Sequence, residues 1–149
     1  KCDVPNATDF VVPALEILDS RVERVDPQTK STRKIFDTIA DNASSGAFVL
    51  GTAPRRLMDL DVAGVGMVIE HRGDPVSSGA GAACLGSPVA AVVWLARALV
   101  RQRAPLRVGD VVLSGALGPV VPVRSPGAFT ARLAGLGAVT AVFDEGTTA

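Results

Sequence analysis

The sequence predicts an α+β protein, mainly β, with one prominent helix over about Pro88–Gln102. Three observations lead there. Short apolar runs recur on a period of two and are cut by glycine or proline. One stretch, opening at Ser87-Pro88, carries a sustained 3.6-residue apolar period. Strands and helices do not alternate as a parallel βαβ fold requires.

The bulk properties bound the function. The 149 residues fit one domain, and 48% hydrophobic with 20% charged residues describes a globular chain rather than a disordered one. Lys+Arg and Asp+Glu both number 15, so no charge excess points to nucleic acid or an anionic membrane as partner. The lone Trp94, the absence of Tyr and the few Phe argue against a base-stacking surface. Cys2 and Cys84 lie far apart outside any CxxC spacing, so neither a disulfide framework nor a cysteine zinc site is expected. No uninterrupted apolar run reaches transmembrane length and no signal peptide is visible, which predicts a cytoplasmic protein. The chain starts at Lys1-Cys2-Asp3 with no initiator Met, so it is expected to be processed or to lack its start.

Taken in order, Asp9 to Val22 reads as a strand. Val12, Ala14, Glu16, Leu18 and Ser20 share one face; Val11, Pro13, Leu15, Ile17, Asp19 and Arg21 share the other. Pro13 cannot donate to a ladder and predicts an edge or a bulge. Arg24 to Lys34 reads as a polar loop, followed by the polar cluster Asp37–Ser45. Ala47 to Leu50 is a short apolar run ended by Gly51, and Thr52 to Arg56 is a turn. Val62 to Val76 reads as a β-hairpin turning at Arg72-Gly73-Asp74, and Ser77 to Gly86 as a loop of small residues. In the helix, Ser87 is the N-cap and Pro88 the first helical residue. Its apolar stripe is Val89, Val92, Val93, Ala96, Leu99 and Val100, with Arg97 and Arg101 toward water. Strands are then expected at Val111–Leu113, Val120–Val123, Phe129–Leu133 and Gly137–Phe143, and Asp144–Ala149 is expected to fray.

Two stretches look unlike packing material. Glu16 sits inside an apolar run, where an ionised carboxylate is costly unless a cation or good hydrogen bonds compensate it. It reads either as a strand carboxylate paired with an arginine, or as a hard-metal ligand or acid/base. Asp19, on the opposite strand face, reads as a structural partner of Arg21. Asp41-Asn42-Ala43-Ser44 reads either as an Asx-turn or cap, or as a loop that binds a substrate carboxylate or orients water. The glycines of Gly79-x-Gly81-x-x-x-x-Gly86 fit no phosphate-binding motif, because the Rossmann spacing and a following Gly-Lys-Ser/Thr are both missing. His71 reads as a surface residue, and Ser114 lies outside any nucleophile elbow.

Val12-Pro13-Ala14-Leu15-Glu16-Ile17-Leu18-Asp19-Ser20-Arg21, Asp37-Thr38-Ile39-Ala40-Asp41-Asn42-Ala43-Ser44-Ser45-Gly46 and Val49-Leu50-Gly51 resemble the 2-keto-4-pentenoate hydratase family, within the fumarylacetoacetate hydrolase superfamily. Val93-Trp94-Leu95-Ala96, Gly109-Asp110-Val111-Val112-Leu113-Ser114-Gly115 and Gly135-Leu136-Gly137 extend the resemblance to about Phe143. It implies a fumarylacetoacetate hydrolase-like mixed β-sheet roll and a divalent-metal-dependent hydro-lyase acting on a 2-hydroxy-2,4-dienoate in aromatic meta-cleavage catabolism. Family members hold Mg²⁺ or Mn²⁺ with three carboxylates, a Glu-x-Glu pair and the glutamate of the Pro-Ala-Leu-Glu strand. Only the last, Glu16, is present, so the chain resembles the C-terminal portion of one catalytic domain. The resemblance makes Asp41, Asn42 and Ser44 candidates for holding water or substrate, and Ser114 and Gly115 candidates for carboxylate contacts. The long connection from Asp26 to Asp37 resembles the 2-oxohept-4-ene-1,7-dioate hydratases, with Arg33 and Lys34 placed to meet a second substrate carboxylate or to lie in a solvated loop. A homo-oligomer and an association with a downstream aldolase are further expectations. Two alternatives stay open: a 4-oxalocrotonate-type decarboxylase, and a non-catalytic half-length subunit or assembly partner.

Overall fold

The computed structural model describes residues 3–145. Cys2 and the last four residues of the expected fraying tail lie outside the described residues. The described chain is α+β and mainly β, as expected, in two antiparallel sheets. The smaller pairs β1 (Ala14–Leu18) with β2 (Ser45–Leu50). The larger has four strands in the order β4-β3-β5-β6: β3 is Gly66–His71, β4 Asp74–Ala80, β5 Gly127–Leu133 and β6 Gly137–Phe143. Both strands of the smaller sheet pack beside β6. Three α-helices and three single-turn 3-10 helices complete the elements among the described residues; the α-helices are α1 (Val4–Ala7), which the sequence did not suggest, α2 (Ile35–Ala40) and α3 (Pro88–Arg101).

The four-stranded sheet holds the core because its alternation is clean on one face. Met67, Phe129, Ala131, Val139 and Ala141 are buried, and the register sets Phe129 opposite Ala141 and Ala131 opposite Val139. His71 belongs to this arrangement rather than to the open surface. Its ring stacks on Phe129 with centroids 4.1 Å apart, and Phe129 meets Phe143 edge-on at 5.5 Å. Its Nδ1 lies 3.2 Å from the Ala128 carbonyl and its Nε2 3.3 Å from Ser125 Oγ. The opposite face carries the Glu70–Arg132 ion pair (3.0 Å) and the Thr130–Thr140 hydroxyl pair (2.9 Å).

Several sequence expectations need correction. The strand expected over Asp9–Val22 shrinks to β1. Pro13 breaks it on one side and is fully buried, and a register shift between Ile17 and Leu18 breaks it on the other. The hairpin turns through Arg72-Gly73, both at positive φ (54° and 89°), as a two-residue connection requires. Its second strand then runs to Ala80, through residues expected to be loop. The expected strands at Val111–Leu113 and Val120–Val123 do not form. That segment instead lies along β4 through single bonds, Ala80 N–H to the Leu117 carbonyl (3.0 Å) and Ser77 Oγ to the Pro119 carbonyl (2.8 Å).

The helix prediction holds at both ends: Ser87 Oγ accepts from Val89 N–H (3.3 Å), and Gln102 is the C-cap. Its stripe is only partly buried. Ala96 is buried, whereas Val100 is exposed together with Trp94. By length and composition alone, the 21 residues Gly81–Arg101 could cross a membrane, which the sequence reading did not anticipate. Their regular part is the 14 residues of α3, about 21 Å long against a hydrocarbon core of about 30 Å. Leu85 and Gly86, at φ 51° and 81°, break the stretch before it. α3 alone is therefore too short to cross that core.

Candidate active site

The polar cluster is built where β1 ends. The register shift at Ile17/Leu18 turns the chain so that Asp19 N–H bonds the Ser44 carbonyl (2.9 Å), bringing Ser20 and Arg21 against the end of α2. At the other end of α2, Asp37 Oδ2 accepts from Lys34 N–H (2.7 Å), a carboxylate closing the helix N-terminus. Asp41 is the C-cap. After it Asn42, Ala43 and Ser44 all adopt left-handed backbone, with φ of 52°, 56° and 60°. Three consecutive non-glycine residues in that region cost roughly 1–2 kcal/mol each, less for Asn. Such strain persists only where surrounding contacts fix it.

Those contacts converge on Asp41, which is buried. Its Oδ2 accepts from the Ser20 and Ser44 hydroxyls, each at 2.8 Å. Its Oδ1 accepts from Arg21 Nε at 2.7 Å and from Arg21 N–H at 3.3 Å. Arg21 also donates from Nη1 to the Ser45 carbonyl (3.0 Å) and from Nη2 to the Asp41 carbonyl, so one guanidinium grips both ends of the turn. The Ser20 hydroxyl, and after it Ser44 and Arg21, holds the Asp41 carboxyl down to about 2 against the upward push of burial.

This depression has a sign that can be tested. A carboxyl whose pKa falls on folding stabilises the fold above its unfolded value, near 4, and loses that contribution as pH drops toward 2. Asp26, lowered by the Thr29 and Gln28 N–H groups, works in the same direction. Comparing denaturant midpoints at pH 7 and pH 3 should therefore show a smaller acid loss in Asp41→Asn than in the parent chain, with the Asp26 contribution common to both.

The structure sorts the residues singled out in the sequence. Asp41 and Ser44 are buried and engaged with each other, while Asn42 is exposed and no side-chain hydrogen bond engages it among the described residues. Arg21 pairs with Asp41 rather than with Asp19, because the register shift rotates the chain after Ile17. Arg33 is not a free loop cation. It donates from Nη1 to Ser20 Oγ and to the Val22 carbonyl (3.3 Å). Lys34 is exposed at the start of α2. Ser114 and Gly115 lie elsewhere, against Cys84, whose Sγ–H donates to the Ser114 carbonyl (2.7 Å). Ser114 also lines a cavity of about 230 Å³ with Trp94, Leu95, Val112 and Leu113. No hydrogen bond among the described residues links this place to Asp41. Ser20 and Arg21 were missed as parts of the cluster. The signal for them was their position directly after a strand that a nearby buried acid could reach.

Glu16 stands on β1 opposite Phe48. It is exposed, so the cost expected from apolar surroundings does not arise, and no ion pair holds it among the described residues. The described residues contain no group of three or more His, Cys, Asp or Glu side chains able to hold a metal ion. One carboxylate is a fitting hard donor for a divalent cation but does not make a site alone.

No family model matches the chain. Curated relatives do. A "TodF product hydratase" of Pseudomonas putida F1 is 57% identical over 141 residues, covering 95% of this chain and 50% of the relative. A 2-keto-4-pentenoate hydratase of Paraburkholderia xenovorans is 50% identical over 143 residues, covering 96% and 51%. A 2-oxo-hept-4-ene-1,7-dioate hydratase of Escherichia coli is 36% identical over 141 residues, covering 95% and 53%. Among solved structures, 4-oxalocrotonate decarboxylase from Pseudomonas putida G7 superimposes with a TM-score of 0.83 at 37% identity, covering 95% of this chain and 51% of that one. That protein is complexed with calcium and acetate, and in a second structure with magnesium and adipate. The chain thus spans about half the length of the curated relatives it matches.

Proposed function

We infer that the chain is a member of the 2-keto-4-pentenoate hydratase family, and from that premise that it supplies part of the active site of a divalent-metal-dependent hydro-lyase. The observation that carries this reading is the 57% identity extending over 95% of the chain. The local geometry supports it. Glu16 is exposed on β1 with no ion pair among the described residues, and Asn42 is exposed on a strained turn, so both side chains are open to a ligand. The same premise implies the superfamily's mixed β-sheet roll for the complete domain.

In the proposed reaction a 2-hydroxy-2,4-dienoate loses the proton of its 2-hydroxyl and gains one at its far end to become a conjugated ketone, and water then adds its hydroxyl at C4 and its proton at C3 to give a 4-hydroxy-2-oxo acid. Glu16 would be one donor to a cation, Mg²⁺ or Mn²⁺, whose other protein ligands lie outside this chain. When bound, the cation supplies Lewis-acid stabilisation of enolate charge. Asn42 would hold substrate or water through its carboxamide. The five-carbon 2-hydroxypenta-2,4-dienoate is the favoured substrate. The relatives named 2-keto-4-pentenoate hydratase are closer in sequence than the one named for the seven-carbon diacid. Arg33, one of the two candidates for a second carboxylate, is already engaged by Ser20 and Val22. Exposed Ile35, Phe36 and Ile39 on α2 are compatible with burial against further chain or a second subunit, and a homo-oligomer belongs to the same proposal.

The decarboxylase reading is kept because of the 0.83 superposition. Incubating the metal-loaded protein with 2-hydroxypenta-2,4-dienoate and with 2-hydroxymuconate, following ultraviolet absorbance and identifying products, separates the readings. A 4-hydroxy-2-oxo acid is expected. Carbon dioxide without hydrated product would move the assignment to the decarboxylase, and no turnover of either would leave a non-catalytic subunit.

A further inference from the structure

The sequence offered Asp41, Asn42 and Ser44 together as groups that touch water or substrate. The structure divides them by what each side chain already does. Four donors occupy the Asp41 carboxylate, one of them the Ser44 hydroxyl. The Ser20 proton has two acceptors in reach, Asp41 Oδ2 at 2.8 Å and the Val22 carbonyl at 2.9 Å. Arg33 covers that carbonyl while also donating to Ser20 Oγ. The ionised carboxylate is the stronger of the two acceptors and slightly the nearer, so the Ser20 proton goes to Asp41 and the bonds run from Arg33 through Ser20 to Asp41. The other charged groups near Asp41 are Arg21, on the segment after β1, and Asp37, one helical turn back.

We propose that Asp41 is a positioning residue and not a proton carrier: with Arg21 and Ser20 it clamps the left-handed turn Asn42–Ser44, leaving the Asn42 carboxamide as the group that the turn presents to ligand. The inference rests on the hydratase reading for what Asn42 meets, and on geometry alone for the clamp. A carboxylate saturated by donors and gripped by a guanidinium has no free lone pair placed to take a proton in turnover, and it stays ionised throughout the working pH range. Misplacing a ligand-facing group by about 1 Å can cost roughly a hundredfold in rate, which is why a rigid turn serves here.

The test uses the full-length, metal-loaded enzyme and the variants Asp41→Asn, Ser20→Ala and Asn42→Ala. Backbone hydrogen exchange at residues 42–45 needs no substrate. It should rise about tenfold or more in Asp41→Asn and in Ser20→Ala, and stay at the parent rate in Asn42→Ala. Ser20→Ala carries this arm if Asp41→Asn fails to fold. With 2-hydroxypenta-2,4-dienoate, Asp41→Asn should lower kcat about tenfold or more while both limbs of the kcat–pH profile keep their midpoints. Loss of a limb in Asp41→Asn would make Asp41 the proton carrier and overturn the proposal. Unchanged exchange in both clamp variants would overturn it as well. An inactive parent protein with the expected exchange pattern would sink the hydratase reading and leave the clamp standing.

Discussion

Gly81→Ala is expected to cost about 3 kcal/mol or more of folding free energy and to lower the melting temperature by roughly 10 °C. A Cβ at this position would overlap the Val62 carbonyl oxygen and lie 2.9 Å from the Val62 carbon and 3.2 Å from the Ala63 oxygen. All three obstacles are backbone atoms, so no flexible side chain can swing aside. The backbone is also pinned. Gly81 N–H bonds the Val65 carbonyl and Ala82 N–H the Ala63 carbonyl, both at 2.8 Å. Gly79 is in the same position against the Leu117 carbonyl. Gly66→Ala is the control, because nothing lies within 4 Å of its Cβ direction, and it should change stability by no more than about 0.5 kcal/mol. Thermal unfolding of both variants, followed by circular dichroism, decides the matter. An unchanged melting temperature in Gly81→Ala would show that the segment yields freely and that close backbone approach does not explain these glycines.

The same pair shows where sequence legibility stopped. Gly79-x-Gly81 fits no phosphate-binding motif in sequence, and its packing role depends on segments 18 to 39 residues away, beyond any local pattern. Small residues have weak strand preference, so Ser77 to Ala80 reads as loop in the sequence, yet the ladder to β3 carries β4 through them. Val111–Leu113 and Val120–Val123 show the converse. Their β-branched composition suggests strands, but each lacks a partner strand, and composition cannot supply one. The helix was legible because Ser87, Pro88 and a 3.6-residue period all act locally. In the cluster, the residue types at Asp41–Ser44 were legible and their division of labour was not. The pairing of Arg21 with Asp41 spans 20 residues and depends on a bulge that only the β1–β2 register reveals.

Glu16→Ala should abolish most Mg²⁺ or Mn²⁺ binding by the intact protein and reduce kcat/KM by about a thousandfold, roughly 4 kcal/mol of transition-state stabilisation. Stability should stay within about 0.5 kcal/mol of the parent, because the side chain is exposed and makes no ion pair among the described residues. Glu16→Gln sharpens the point. It keeps the volume and the strand environment opposite Phe48 and removes only the charge that a hard cation requires. A strand carboxylate with a purely structural role would give the opposite pattern, a lowered melting temperature with metal content unaffected. Metal analysis of the dialysed protein, calorimetric titration with Mg²⁺ and a thermal melt on the same samples separate the two. Full metal content in both variants would remove Glu16 from the proposed ligand set. A selective loss of metal with the fold intact would make β1 the element around which the rest of the site assembles. The two groups are set differently on that strand: the regular ladder opposite Phe48 places Glu16, and the register shift after Ile17 turns Ser20 and Arg21 onto Asp41.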